Sequence, residues 1–460
     1  MHTSGLVVGH DAPVHIIVVG AGEVGSHVAD RLSREGHDVV VVETNDARRR
    51  QIEDELDVLC VAGSGTHPAT LREAGLARAD LLVAVTTNDE ANLVASMLAK
   101  QAGVANTIIR IEAPQLRAKD ADELRIASGA DLVIDPDEET AHEVLDLIQY
   151  PGATEVAVMA GGEVIVIGAR LPDDAPLVGK QLSEIAAEFE PEWEFLVGAI
   201  TRAHETIIPR SEHRLEAHDL LRVICRRKSR RLTSELLGIE RSAAQRILLL
   251  GGGRTAQILA ERLIQQGAQV TMIERDPDRA RRLAEALDHV LVLEGDITDS
   301  SLLDEADVQD AQVVVALTGE DDANILACLY AKSVGANETI AVAHRLDLLS
   351  LLDEVGIDVA LSPRTASANG VLRFVRRDVT AVTTFLQGDA EVIEIAVRPD
   401  SEADGSCIAD LPLPKEVLVG AIVRDGKATI ARGRSVLRAR DHLVLVAMPH
   451  AIDDATRLFG

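Results

Sequence analysis

The chain of 460 residues carries 75 acidic against 46 basic side chains, and its formal charge of -29 opposes non-specific binding to nucleic acid. Hydrophobic residues make up 47%, which is the composition of a folded protein, whereas 2% aromatics leave little with which to stack bases. No apolar run approaches the roughly 20 residues of a membrane span, and the start MHTSGLVVGHDAPVH lacks the basic and long apolar regions expected of a secretory signal.

The first informative stretch is HIIVVGAGEVGSHVADRLSREGHDVVVVET, from His15 to Thr44. An apolar strand runs straight into the spacing G-x-G-x-x-G. Gly20 permits the tight turn, Gly22 lets backbone amides approach a pyrophosphate, and Gly25 lets the following helix pack on the strand. That helix, expected to begin near Glu23, turns free N–H groups and a positive dipole end toward an anion. Glu43 ends the next strand, where its carboxylate can accept both hydroxyls of an adenosine ribose and would repel a 2′-phosphate. NAD(H), or another adenine nucleotide with an unphosphorylated ribose, is favoured over NADP(H). A solvated strand-end acid is the alternative for Glu43.

Strands are expected near 16–20, 38–43, 58–61, 81–85, 107–111 and 131–134, with helices between them. This βαβ alternation implies a parallel sheet covered on both faces. Ligands of such sheets bind at the carboxyl ends of strands, which here carry Ser64 within Gly63–Thr66, then Thr86, Thr87 and Asn88, then Arg110. Ser64 and Thr86 suit a nucleotide cleft, Thr87 and Asn88 are equally ordinary helix caps, and Arg110 reaches either a phosphate or a surface carboxylate. His67, before Pro68, reads as a local helix cap.

Pro136–Gln149 reads as a helix that leaves this sheet, stopped by Tyr150, Pro151 and Gly152. A small mixed domain follows: a hairpin turning at Gly161 and Gly162, a helix over Leu177–Glu188, and strands within Phe195–Arg210 and Asp219–Arg227. The polar, basic stretch Arg226–Gln245 reads as a solvated linker helix, with a phosphate-rich surface as its other possible use.

The plan then repeats. RILLLGGGRTAQILAERLIQQGAQVTMIER, from Arg246 to Arg275, places Gly251 and Glu274 each 231 residues after Gly20 and Glu43. Val419–Arg432 answers Val197–Arg210 at a constant offset of 222, so the small domain recurs as well. In the second loop Gly251, Gly252, Gly253, Arg254 and Thr255 are the phosphate candidates, but Ala256 replaces the third glycine. Asp296 also stands where the first copy has Ser64, so the second site is expected to bind less well or to read another ligand.

No reactive constellation emerges. The four cysteines show no CxxC pairing, which argues against a zinc site or a disulfide framework, and the histidines are dispersed.

The order of domains, with the strings GAGEVG at Gly20, THPATLREAG at Thr66, AVTTNDEAN at Ala84, LIQYPGA at Leu147, ALTGEDDAN at Ala316, IDVALSP at Ile357 and VGAIVR at Val419, resembles the TrkA family of potassium-uptake regulators. These are built from tandem RCK (KTN) units, each with an N-lobe and a C-lobe. The resemblance implies an α/β protein with two Rossmann-like doubly wound parallel-sheet domains, each followed by a small α+β C-terminal lobe. Its boundaries would be an N-lobe at 14–135, a crossover helix at 136–150, a C-lobe at 151–228, a linker at 229–244, a second N-lobe at 245–375 and a second C-lobe at 376–460.

The resemblance further implies a cytoplasmic, non-enzymatic regulator, peripheral on the inner face of the cell membrane. It would form dimers or rings and gate a separate Trk- or Ktr-type potassium channel subunit. By the same carry-over Gly20, Ala21, Gly22, Glu23 and Val24 hold phosphates, Glu43 the ribose, Thr86 and Thr87 the adjoining cleft, and Arg110 a phosphate, with Gly251–Thr255 and Glu274 in the second copy. The ligand would be NAD(H), with ATP or ADP as alternatives at the same sites. Rival readings are an NAD-dependent oxidoreductase and a soluble nucleotide sensor with a non-channel partner.

Overall fold

The computed structural model describes residues 14–34, 36–113, 116, 126–203, 205–239, 244–345, 348–349, 351–352, 355–375, 379–384 and 390–459. The first repeat forms a parallel sheet of β1 (His15–Val19), β2 (Asp38–Glu43), β3 (Leu59–Ala62), β4 (Leu81–Ala84), β5 (Asn106–Arg110) and β6 (Leu132–Ile134), in the order β3-β2-β1-β4-β5-β6. Every residue of β1 and β4 is buried, which is why HIIVV and LLVA are apolar throughout rather than alternating. The strand order reverses between β1 and β4, and this opens a crevice at their carboxyl ends.

The next segment forms an antiparallel sheet of β7 (Glu155–Met159), β8 (Val164–Arg170), β9 (Phe195–Arg202), β10 (Glu205–Ile207) and β11 (Leu220–Arg226), ordered β10-β9-β11-β8-β7. The second repeat gives β12 (Arg246–Leu250), β13 (Gln269–Glu274), β14 (Val290–Glu294), β15 (Val313–Ala316), β16 (Glu338–Val342) and β17 (Val359–Leu361), in the same order as the first parallel sheet. Last come β18 (Val379–Thr384), β19 (Glu391–Ala396), β20 (Val417–Arg424), β21 (Lys427–Ile430) and β22 (His442–Ala447), as a second antiparallel sheet.

Each parallel sheet is covered partly by a helix from the other repeat. The helix Pro136–Gln149 buries Ala141, Val144, Leu145 and Ile148 with Ile247, Leu249, Val313 and Val315 of the second sheet. Conversely, Ala368 and Val371 of the helix Pro363–Val375 join Ile16, Val18 and Val28 of the first. One unit of the chain is accordingly the first sheet with that returning helix, and the other runs from Thr140 to Pro363 and resumes at Arg377.

Two expectations need correction. The helix predicted from Leu177 begins only at Leu182, because Gly179 takes φ +80° and donates its N–H to the Leu215 carbonyl at 2.8 Å. The stretch read as a solvated linker helix does hold a helix, Arg230–Leu237, but it is not solvated throughout, because Leu236 and Leu237 enter the first antiparallel sheet's core. Its charges obscured a short apolar face.

Within the larger unit, the two antiparallel sheets pack face to face through Val164, Val166 and Ile224 against Val392, Val444 and Val446. The repeated VGAI string contributes glycines to this contact. A Cβ on Gly198 would lie 2.7 Å from Val446, and one on Gly420 would lie 2.0 Å from Ile224. At the start of β16, Glu338 accepts the Gly152 N–H at 3.1 Å, so it clasps the turn that ends the crossover helix. Its other oxygen is buried without a partner, and burial pushes the carboxyl up to about 8 against the opposing pull of the Gly152 N–H.

A carboxyl raised in the folded state stabilises fully below its ordinary value of 4.5 and progressively loses that advantage as pH rises toward 8. Glu338→Gln keeps an acceptor for Gly152 and removes the ionisation. Its melting temperature should match the parent near pH 4.5 and exceed it at pH 8, by the equivalent of about 4 kcal/mol. Parallel melting curves across that range with a constant difference would show that Glu338 titrates normally.

Candidate nucleotide-binding site

β1 delivers the chain into Gly20, which takes φ +103° and donates its N–H to the Val42 carbonyl at 2.8 Å. A Cβ on Gly25 would stand 1.9 Å from the Gly20 carbonyl oxygen, so the helix Glu23–Arg34 can seat on the loop only with glycine there. Gly22 is different: a Cβ would meet nothing within 4 Å. Its place in the loop faces open space beside the first-turn N–H groups that a helix cannot satisfy by itself. Ala21 and Val24 are buried, and Val24 joins the sheet's core, so the Val24 side chain anchors the helix.

Glu43 is buried, and its carboxylate is already engaged. One oxygen accepts the Ala21 N–H at 2.7 Å; the other accepts the Asn45 N–H at 2.7 Å and the Thr44 hydroxyl at 3.2 Å. Burial alone would raise this carboxyl, but the Asn45 and Ala21 amides and the Thr44 hydroxyl outweigh it and hold it below its ordinary value. A carboxylate offers about four acceptor positions, so a ribose hydroxyl remains compatible with these three bonds.

The loop after β4 is built around Asn92, a fully buried side chain that the sequence reading left without a role. Its oxygen accepts the Thr86 N–H at 3.0 Å and the Thr86 hydroxyl at 2.7 Å, and its amide donates to the carbonyls of Thr86 at 3.0 Å and Arg110 at 2.9 Å. Both donors and both lone pairs are used. Asp89 accepts the N–H groups of Glu112 at 3.0 Å and Ala113 at 2.6 Å, tying the next helix to the end of β5. Asn324 and Asp321 repeat these bonds on Thr318 and Val342, and on His344 and Arg345. The signal was the recurring T-x-x-D-x-x-N spacing from Thr86 and Thr318. Its physical content is a brace joining two strand ends.

The remaining candidates fall around the same crevice with unequal standing. The Thr86 methyl lies 2.9 Å from where a Gly20 Cβ would be, so the two loops touch. Thr87 is exposed and Ser64 is half-buried, its hydroxyl 2.8 Å from that of Thr66. Arg110 ends β5 with its guanidinium on Glu112 and its Nε buried without a partner. His67 occupies the cap position expected of it, but its side chain makes no capping bond.

In the second repeat Glu274 accepts the Gly252 N–H at 2.9 Å and the Asp276 N–H at 2.7 Å, reproducing the arrangement of Glu43. Gly253, like Gly22, has open space where a Cβ would be. Ala256 is buried in the core at the position of Gly25. Arg254 and Thr255 open the following helix and are half-buried. Arg275 bridges to Glu320 at 3.0 Å and toward Asp296 at 3.9 Å, joining the loops after β13, β14 and β15. Thr44 stands at that position in the first copy, and Val342 replaces Arg110 in the second.

Comparison with known proteins adds the following. The TrkA-N domain model matches residues 16–136 and 247–363, and the TrkA-C domain model matches 155–238 and 392–460. The chain is 34% identical over 451 residues to the Trk system potassium uptake protein TrkA of Halomonas elongata, spanning 96% of this chain and 98% of that one. It is 36% identical over 439 residues to the Vibrio alginolyticus protein of the same name, spanning 94% and 95%. The Methanosarcina mazei protein named TrkA homolog 2 is 35% identical over 453 residues, spanning 96% and 99%. Among solved structures, the GsuK channel bound to NAD is similar at a TM-score of 0.60 and 19% identity, covering 98% of this chain and 79% of that one. The GsuK RCK domain is similar at 0.60 and 19%, covering 98% and 95%. At that identity the likeness to GsuK is one of fold.

Proposed function

The chain belongs to the TrkA family of Trk system potassium uptake proteins, and from that premise we propose that it is a nucleotide-responsive regulatory subunit acting on a separate potassium-conducting membrane subunit of the Trk or Ktr type. The observation that carries the nucleotide half of this reading is the cradle at Gly22. A complete glycine fingerprint, an open position beside a helix amino terminus, and Glu43 at the neighbouring strand end suit an adenosine ribose and its phosphates.

NAD(H) is the proposed ligand, with ATP or ADP competing for the same cleft. Gly20, Ala21, Gly22, Glu23 and Val24 offer backbone amides, Glu43 takes the ribose, Ser64, Thr86 and Thr87 line the cleft, and Arg110 turns from Glu112 to a phosphate. Gly251–Thr255 and Glu274 form the second, weaker site. Val342 removes the phosphate cation there, and Arg275 already braces the loops that a ligand would part.

Among the described residues no helix is long and apolar enough to cross a membrane. The bias is therefore proposed to pass across a protein interface, from a peripheral position on the cytoplasmic face and within a homo-oligomeric assembly. A ligand shifts the gate only by its different affinity for the open and closed arrangements. Two nucleotides sharing one cleft can then act in opposite directions, and no turnover is required of either.

Titration calorimetry with NADH, NAD, ATP and ADP tests this reading. Gly22→Asp places a carboxylate in open space, so the variant should melt like the parent while losing tenfold or more of its affinity at the stronger site. Gly253→Asp should leave that site intact. A Gly22→Asp protein that binds all four nucleotides as tightly as the parent would remove the first site from this account. Steady oxidation of NADH with added carbonyl compounds would favour the oxidoreductase.

A further inference from the structure

The turn that ends the crossover helix closes largely on itself. The Tyr150 N–H donates to the Leu147 carbonyl at 2.8 Å and the Ala153 N–H to the Tyr150 carbonyl at 2.9 Å, while Pro151 has no N–H to offer. Gly152, at φ +85°, is the exception: its N–H leaves the turn for the Glu338 carboxyl at 3.1 Å. Ile239 backs this position, since a Cβ on Gly152 would stand 3.0 Å from the Ile239 Cβ. One backbone amide and one acid 186 residues away thus tie the entry to the first C-terminal lobe to the second parallel sheet.

An acid is an unexpected choice for that task. Glu338 is 4% exposed, and its Oε1 is buried without a hydrogen-bond partner. The repeat supplies the contrast, because the equivalent position 232 residues earlier holds Asn106. The framework around the two positions is the same. Lys100 and the Thr107 N–H each meet Asp131 at 2.7 Å, as Lys332 and the Thr339 N–H meet Asp358 at 2.6 and 2.8 Å. The second copy therefore sets an ionisable group where the first has a neutral amide. The charges that act on Glu338 are Asp358, which opposes ionisation, and Lys332 on the helix Asp321–Val334, which favours it but is committed to Asp358. On the other elements packed nearby, Asp146 of the crossover helix faces His142 at 3.8 Å, and the Tyr150 ring carries Arg230 at 4.6 Å from its centroid. Ionised in place, Glu338 would keep one amide and leave its remaining lone pairs unmet, which costs far more than burying the neutral acid.

We propose that Glu338 and the Gly152 N–H form a pH-sensitive clasp between the turn after the crossover helix and the second parallel sheet, closed around the neutral carboxyl and released as the carboxylate forms and takes up water. Burial pushes this carboxyl up to about 8 from its ordinary 4.5, so the closed clasp holds the proton more tightly than the open one. Closure is accordingly favoured in full below 4.5 and weakens progressively as pH rises to 8. The clasp sits at the amino end of β16, the opposite end from the proposed nucleotide cleft, so it works whichever nucleotide is bound. Its release frees the turn that leads into the first C-terminal lobe. In the regulatory reading, lobe movement then has proton concentration as a second input.

Hydrogen–deuterium exchange of the full chain, without nucleotide, tests the clasp. Corrected for the chemical rate at each pH, protection of the Gly152 amide should fall roughly fiftyfold between pH 6 and pH 8 in the parent. Glu338→Gln keeps an acceptor and cannot ionise, so its protection at Gly152 should stay constant over that range and exceed the parent's at pH 8. The amides of β15 should stay protected in both proteins, as a local opening requires. A pH-independent protection of Gly152 in the parent would overturn the proposal, whether or not the variant folds. So would an equal fall in Glu338→Gln, which would assign the change to another group, or an equal fall across β15, which would make it global unfolding.

Discussion

Glu43→Ala is expected to destabilise the first nucleotide domain by about 2–5 kcal/mol and to abolish nucleotide binding there, because two amides lose their acceptor together. The N–H groups of Ala21 and Asn45, each 2.7 Å from the carboxylate, belong respectively to the glycine loop and to the turn after β2. Without Glu43 both amides lose this acceptor, and the loop loses the bond that ties Ala21 to the end of β2. Glu43→Gln retains one acceptor oxygen but turns an NH2 group toward a donor, so a smaller loss is expected. The lowered carboxyl adds a pH signature. Its contribution is present above the ordinary value of 4.5 and is lost as pH falls, so the parent should weaken in acid more steeply than Glu43→Ala. Denaturant midpoints at pH 7 and pH 4, with NADH isotherms, measure both effects. Unchanged midpoints would mean that the carboxylate serves only the ligand.

Much of this site was legible because it depends on local geometry. A strand entering Gly20, an acid ending the next strand and hydroxyl residues after β3 and β4 are all fixed by spacing along single βα units. The parallel sheets followed from the same alternation, and the predicted strands lie within about a residue of the observed ones. What escaped were relations between distant segments. The helix Pro136–Gln149 shows an apolar face in sequence, yet nothing in that face says that it will cover the second sheet. Asn92 is a polar residue on an ordinary helix until its four hydrogen bonds are seen. The clasp of Glu338 on Gly152 joins positions 186 residues apart, and no local pattern encodes that contact.

The double role proposed for Glu43 and Glu274 also bears on how a ligand would be felt. Each carboxylate holds its own glycine loop through one amide, at Ala21 or Gly252, and its following turn through another, at Asn45 or Asp276. A ribose that draws on the same oxygens competes with, or reinforces, bonds that set the loop. In the proposed binding mode, the nucleotide would thereby be coupled to the position of the helix that follows. In the second copy Arg275 adds ionic ties between loops, so a nucleotide at the proposed second site would have a stiffer element to move.

The largest loss of stability should come from Arg222→Leu, about 3–5 kcal/mol, through an ion pair that spans three strands. Glu155 on β7 and Arg222 on β11 both stand in register with Gly168 on β8. A Cβ at Gly168 would come within 2.8 Å of Glu155, so the glycine opens the space over which acid and base meet at 2.9 Å. Arg222 also donates to the Thr201 hydroxyl at 2.9 Å and has no exposed surface. By strand alternation the pair lies on the face shared with the second antiparallel sheet, beside Val166 and Ile224. Leucine at 222 removes the Arg222 guanidinium from the buried Glu155 carboxylate, whereas Glu155→Leu with Arg222→Leu removes both charges and should recover most of the loss. A double variant no more stable than Arg222→Leu alone would place the cost in packing rather than in the uncompensated charge.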